Sequence, residues 1–282
     1  MQQLAVLGSP IGQALSPVLH RAAYRVLGLD WTYRAIDCTP DQLEQFLADM
    51  DEGWAGLSLT MPLKRAAVPL LDEVSPLVHA TGTANTVIRR GRRLLGENTD
   101  VDGMVQALRD AGVSRAESAC VLGAGATAAT ALAALHLLGC TAVTVIARDL
   151  GRTGELTRAA KRIGVALHLR PWADAVRHLE ADLVVSALPP GAADPLAPLW
   201  PAAATLLDVV YRPWPTPIAR AAQEAGSTVV GGLPMLLHQA ARQVELQTGR
   251  GPAPLDAMRR AAERALATDA APASTRGLPR IA

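Results

Sequence analysis

Aromatic residues are scarce in this chain: they occupy 3% of its 282 positions and include a single phenylalanine. The core must therefore be filled by leucine, valine and alanine, a composition that suits helices packed on buried parallel strands and predicts an α/β class. An excess of charge of one sign is also lacking. The 27 basic and 26 acidic residues leave a net charge of +1, which supplies no field for steering onto nucleic acid or an anionic membrane and leaves a small molecule as the expected partner. Only three cysteines are present, Cys38, Cys120 and Cys140, widely spaced in apolar runs. Neither they nor the six histidines fall into a CxxC, HExxH or paired Cys/His spacing, so no metal is expected, and a reducing, cytoplasmic setting is the simplest reading. Long hydrophobic runs are missing as well. The stretch 128–147 is interrupted by His136 and Gly139, so it divides into a helix and a strand, and the opening MQQLAVLG reads as a first strand with no export signal.

What the chain does have is alternation. Hydrophobic residues make up 50% of it, enough to offset the entropy of folding. Short β-branched or leucine-rich runs at 4–7, 32–37, 56–60, 84–88, 120–122, 143–147, 183–187, 206–210 and 228–230 alternate with longer segments of helical period. That pattern predicts repeated βα units on mainly parallel sheets. Arg89, Arg90, Gly91, Arg92 and Arg93 read as a hairpin turn with solvated flanks. A boundary is expected near Asp102, ahead of a Rossmann-like dinucleotide-binding domain at 102–234. Residues 1–101 form a first α/β domain, made discontinuous by a terminal helical pair at 235–267 that returns to it, and 268–282 read as a solvated tail.

The strongest local signal is Gly123-Ala124-Gly125-Ala126-Thr127, between an apolar strand and a long alanine-rich helix. Glycines there let the backbone turn tightly beneath a pyrophosphate whose charge meets the free N–H groups of the helix. The next strand ends on Arg148 and Asp149. Arg148 suits an adenosine 2′-phosphate and favours NADP, whereas an acid at this point suits the bare 2′-hydroxyl.

Four segments of the first half place polar residues where strands end: Gly8-Ser-Pro-Ile with Leu15-Ser16-Pro17, Ser58-Leu-Thr60-Met-Pro-Leu-Lys64, Ala84-Asn85-Thr86 and Glu97-Asn98-Thr99-Asp100. Ser16 ahead of Pro17 also fits a helix N-cap. Lys64 opens a helix where the dipole disfavours a cation, a misfit that hints at a task. Taken in order with the glycine turn and a late Gly-Leu-Pro-Met-Leu-Leu-His-Gln, these motifs resemble the shikimate dehydrogenase family over roughly residues 4–266.

The resemblance implies an NADP-dependent oxidoreductase, a monomer or homodimer, that reduces 3-dehydroshikimate to shikimate. It implies Lys64 and Asp100 as the catalytic pair, Ser16 on the substrate carboxylate, Thr60 and Asn85 on ring hydroxyls, Gln239 on a hydroxyl and Tyr211 on the substrate side. Gly232 then lies near the nicotinamide, with Gly123, Ala124, Gly125, Ala126, Thr127, Arg148 and Val209 also binding the cofactor. The sequence departs from the family's His-Ser-x-Ser-Pro at Ala14, which removes a hydroxyl expected on the carboxylate, with Gln13 the candidate to replace that contact. Ser58 stands where asparagine is common and has a shorter reach. These departures keep two alternatives open: a paralogue acting on quinate, an aminoshikimate or another cyclic hydroxy acid, and an idle NADP-binding sensor.

Overall fold

The computed structural model describes residues 1–201 and 204–270. Two six-stranded sheets carry the chain. The first is built from β1 (Gln2–Gly8), β2 (Trp31–Asp37), β3 (Trp54–Leu59), β4 (Glu73–Val74), β5 (Thr86–Arg90) and β6 (Arg93–Glu97), in the order β2-β1-β3-β5-β6-β4. β1, β2 and β3 run parallel, β5 is antiparallel to both β3 and β6, and β4 pairs parallel with β6. Arg90 opposes Arg93, and Gly91 takes a φ of +62° between them, so the arginine-flanked glycine is the expected hairpin turn.

The second sheet holds β7 (Ala119–Leu122), β8 (Ala142–Ala147), β9 (Ala166–Pro171), β10 (Leu183–Ser186), β11 (Thr205–Asp208) and β12 (Val229–Val230), all parallel in the order β12-β11-β10-β7-β8-β9. Chain order reverses between β7 and β10, the switch point at which open α/β sheets place their ligands. Its central strands are buried on both faces, as continuous apolar runs such as Cys120-Val-Leu and Leu183-Val-Val require.

Ten helices join these strands among the described residues: α1 (Ser16–Val26), α2 (Pro40–Ala48), α3 (Leu63–Ala66), α4 (Pro76–Thr81), α5 (Thr99–Asp110), α6 (Ala126–Leu137), α7 (Gly154–Ile163), α8 (Pro217–Glu224), α9 (Gly232–Thr248) and α10 (Leu255–Ala270). Leu4, Val6, Tyr33, Val244 and Met258 form a core between one face of the first sheet and α1, α9 and α10. Val121, Leu132, Val143 and Leu156 do the same for the second sheet with α6 and α7. The passage between sheets is helical in both directions. α5 leads from β6 toward β7, and α9 leads from β12 back to the first sheet, where Gln247 Nε2 donates to the Leu57 carbonyl of β3 at 3.0 Å. α5 and α9 lie against each other at Gly103, where a Cβ would stand 2.6 Å from the Met235 carbonyl and 2.8 Å from Gln239 Cβ.

Several boundaries differ from those expected. β3 ends at Leu59, so Thr60 lies beyond the strand, its N–H bonded to the Leu7 carbonyl at 2.9 Å. α9 begins at Gly232 and not at Met235, because Pro234 sits in the first turn, where its missing N–H leaves no intrahelical bond unmade. Residue 102 lies inside the continuous helix α5. β4 and β9 escape the pattern: β4 has two exposed residues, and β9 is a half-exposed edge strand carrying His168 and Arg170. The expected tail begins inside α10, which continues to Ala270, and its remainder, 271–282, lies outside the described residues.

Candidate active site

The first sheet delivers the polar segments to one place. Lys64, in the four-residue helix α3 after β3, reaches Asp100 in the first turn of α5, with Nζ to Oδ2 at 2.6 Å and side chains only 16% and 8% exposed. Because α3 is a single turn, Lys64 belongs to its last turn as well and the expected dipole misfit is not realised; its charge is matched by a carboxylate from another helix. Asn85, which directly precedes β5, donates from Nδ2 to Asp100 Oδ1 at 2.9 Å. The same nitrogen lies 2.9 Å from Thr99 Oγ1 and 3.2 Å from Gln239 Oε1. Its carbonyl oxygen accepts the Thr99 N–H at 2.8 Å, which fixes the amide's orientation. Gln239 Nε2 donates to the Leu236 carbonyl at 2.9 Å, and the Gly103 crossing brings this residue of α9 against α5. Named separately by the motifs, Lys64 and Asn85 thus both bond to Asp100, and Gln239 joins them through Asn85.

Ser16 occupies the other end of this region. It is buried and is the first residue of α1, whose N-cap is Leu15, and it makes no capping bond. The Tyr33 phenol of β2 lies near it and donates to Ser58 Oγ at 2.7 Å. Tyr211 follows β11 in the second sheet, and its phenol lies near the backbone of Leu15. Burial raises the pKa of that phenol, with the Arg212 charge and the Leu15 backbone working the other way. The loop behind Tyr211 is braced by Asp208, which accepts Val210 N–H at 3.3 Å and the Thr216 hydroxyl at 2.7 Å. Burial raises the Asp208 carboxyl above the usual range.

The dinucleotide turn is built as its glycines suggest. Gly123 has a φ of +106°, and a Cβ there would stand 3.1 Å from the Ala187 carbonyl at the end of β10. Gly125 is the N-cap of α6, and a Cβ on it would meet nothing within 4 Å. Ala126 and Thr127 follow in the first turn, where N–H groups have no intrahelical acceptor. Arg148 is exposed just past the end of β8, and Asp149, also exposed, accepts Gly151 N–H at 2.9 Å. Val209 and Gly232 approach so closely that a Cβ on Gly232 would collide with the Val209 carbonyl.

Comparison with known proteins gives this geometry its context. Residues 6–87 match the shikimate dehydrogenase substrate binding domain, and residues 232–263 match the shikimate 5'-dehydrogenase C-terminal domain. The shikimate dehydrogenase (NADP(+)) of Synechococcus sp. (strain JA-3-3Ab) is 36% identical over 281 aligned positions, covering 94% of each chain. This chain belongs to the shikimate dehydrogenase family.

Solved members of the family share the whole architecture. Mycobacterium tuberculosis shikimate dehydrogenase is 40% identical with a TM-score of 0.86, the match covering 94% of this chain and all of that one. The Thermus thermophilus shikimate 5-dehydrogenase, solved with NADP(H) and shikimate, is 36% identical with a TM-score of 0.83, covering 94% of this chain and 100% of that one.

Within this family member the motif reading missed a second polar cluster. Tyr33, Gln243 and His20 are buried beside Ser16 and Ser58 and were not singled out by any contiguous motif. One signal was present: Gln239, Gln243 and Gln247 recur every four residues, a glutamine ridge on a single face of α9, and all three are buried.

Proposed function

We propose that this chain is an NADP-dependent shikimate dehydrogenase that reversibly reduces 3-dehydroshikimate to shikimate. The observation that carries the reading is the 2.6 Å Lys64–Asp100 pair, nearly enclosed and shared with Asn85. A sensor that only bound NADP would have no chemical need for a buried lysine and carboxylate at this spot.

The residues present fit the cofactor. The open space at Gly125, the free N–H groups at the start of α6 and the exposed Arg148 suit a pyrophosphate and a 2′-phosphate. When bound, the nicotinamide supplies or accepts hydride. Lys64 then does the proton work: its ammonium donates from Nζ to the oxygen that gains charge as the ketone is reduced, and in reverse its neutral amine takes the hydroxyl proton. Asp100 holds Nζ in place, and Asn85 holds Asp100. Ser16 and Tyr211 serve the substrate carboxylate, and Asn85, Thr60 and Gln239 serve the ring hydroxyls.

The first sheet with α9 and α10 acts as the substrate domain and the second sheet as the cofactor domain, closing on a ligand between them. Buried, unpaired Cys38, Cys120 and Cys140 suit a reducing cytoplasm. Initial rates of NADP reduction with shikimate and with quinate test the reading. Preference for shikimate supports it, preference for quinate assigns the chain to a paralogue permitted by Ala14, and turnover of neither overturns both.

A further inference from the structure

Below the catalytic pair lies a buried chain of hydrogen bonds whose direction is forced by two backbone groups. Gln243 is 1% exposed, and its Nε2 donates to the Asn85 carbonyl at 3.1 Å and to Thr86 Oγ1 at 3.0 Å. A backbone carbonyl can only accept, so Gln243 Oε1 must face the other way, toward Ser58 Oγ at 2.9 Å and His20 Nε2 at 3.2 Å. Amide oxygens do not donate. Ser58 therefore gives its proton to Gln243, and Tyr33, 2.7 Å from Ser58, must give its own to Ser58.

The direction persists at the other end. Thr86 Oγ1, having accepted from Gln243, donates to Asn85 Oδ1 at 2.8 Å, an oxygen already identified by the Thr99 N–H it accepts. Asn85 Nδ2 then donates to Asp100 Oδ1. Every proton from Tyr33 to Asp100 thus points toward the carboxylate, the arrangement in which successive hydrogen bonds polarise one another. His20 braces the middle from the side. Its Nε2–H adds a second donor to Gln243 Oε1, its Nδ1 accepts from Tyr24 at 3.3 Å, and its ring stacks on Tyr33 at 4.0 Å.

We propose that Tyr33, Ser58 and Gln243 are positioning residues that hold Asn85, and through it Asp100, at the reacting end of the pocket, so that the Ser58 hydroxyl serves the protein's interior and not a substrate hydroxyl. Both partners of Ser58 Oγ are protein atoms, and the residue is 3% exposed. The functional half of this inference rests on the reading of Lys64 and Asp100 given above.

The test uses the full chain with Ser58→Ala, Tyr33→Phe and Gln243→Met, each examined by steady-state kinetics and by the side-chain amide resonances of Asn85 in ¹H–¹⁵N spectra. Ser58→Ala is expected to lower kcat about threefold to tenfold, the size of one neutral hydrogen bond, with KM for shikimate held within about twofold. Tyr33→Phe shifts the Asn85 amide in the same direction as Ser58→Ala and keeps the core filled, so it decides the matter if Gln243→Met does not fold. A rise in KM with unchanged kcat for Ser58→Ala would make Ser58 a ligand contact and overturn the proposal, as would Asn85 resonances unmoved by Ser58→Ala and Tyr33→Phe. If the wild type does not oxidise shikimate, the functional reading fails separately, and the Asn85 resonances alone judge the chain.

Discussion

Gly103 of α5 and Gln239 of α9 are packed so closely that the hydrogen at position 103 is all the space admits: a Cβ would sit 2.8 Å from Gln239 Cβ and 3.0 Å from its backbone nitrogen. This contact sets the distance between the helix that carries Asp100 and the helix that carries Gln239. Gly103→Ala is therefore expected to push the helices apart, costing about 1–3 kcal/mol as overpacking does. Urea unfolding reads the loss, and a larger KM for shikimate than for NADP shows that the displaced side is that of Gln239.

Arg148 is predicted to distinguish the two nicotinamide cofactors. Arg148→Ala removes the exposed cation at the end of β8 while leaving Asp149 committed to Gly151. A hydrogen bond to a charged group is worth about 1.5–3 kcal/mol, so KM for NADP should rise about tenfold to a hundredfold while that for NAD stays put. Equal loss with both cofactors would place Arg148 elsewhere.

His20 gives acid stability a defined slope. Burial lowers its pKa to about 3, against an opposing contribution from the Gln243 hydrogen bond, whereas the unfolded chain titrates at the ordinary 6.5. Between those values the unfolded state binds a proton that the folded state refuses, so stability falls as pH drops below 6.5 and is unaffected by His20 above it. The expected slope is about 1.4 kcal/mol per pH unit. Denaturant midpoints measured between about pH 7 and pH 5 should show His20→Gln with a shallower decline than the wild type, even though its stability at neutral pH is lower. Parallel declines would contradict this assignment.

Ala14 marks the hydroxyl this chain lacks. Ala14→Ser restores the family's pattern beside Ser16 and is expected to lower KM for shikimate about tenfold, the lower end of the range for a charged hydrogen bond. An unchanged KM would mean that another group, such as Gln13, already fills the role, and KM in the double variant Ala14→Ser with Gln13→Ala separates the two.

Most of the fold was legible because most of it is local. The double burial of β7 and β10 is spelled out in apolar runs, and Gly123 announces a turn that only a positive φ permits. β9 was not legible, since an edge strand with one wet face and His168 in its middle carries little hydrophobic signal. The same divide runs through the site. Lys64, Asn85 and Asp100 each lie in a compact motif, whereas Ser58 and Gln243 are 185 positions apart and meet only because α9 returns to the first sheet. Ser16 shows a further limit: Ser-Pro at a helix start predicts a cap, but Leu15 takes that position and Ser16 becomes the first residue of the helix.

The most direct measurement of the central claim compares shikimate-dependent NADP reduction by the wild type and by Lys64→Met. The account predicts turnover by the wild type and a fall in kcat of about 10²–10⁴ in the variant, with NADPH binding retained. A variant that turns over at close to the wild-type rate would contradict the assignment of the proton to Lys64.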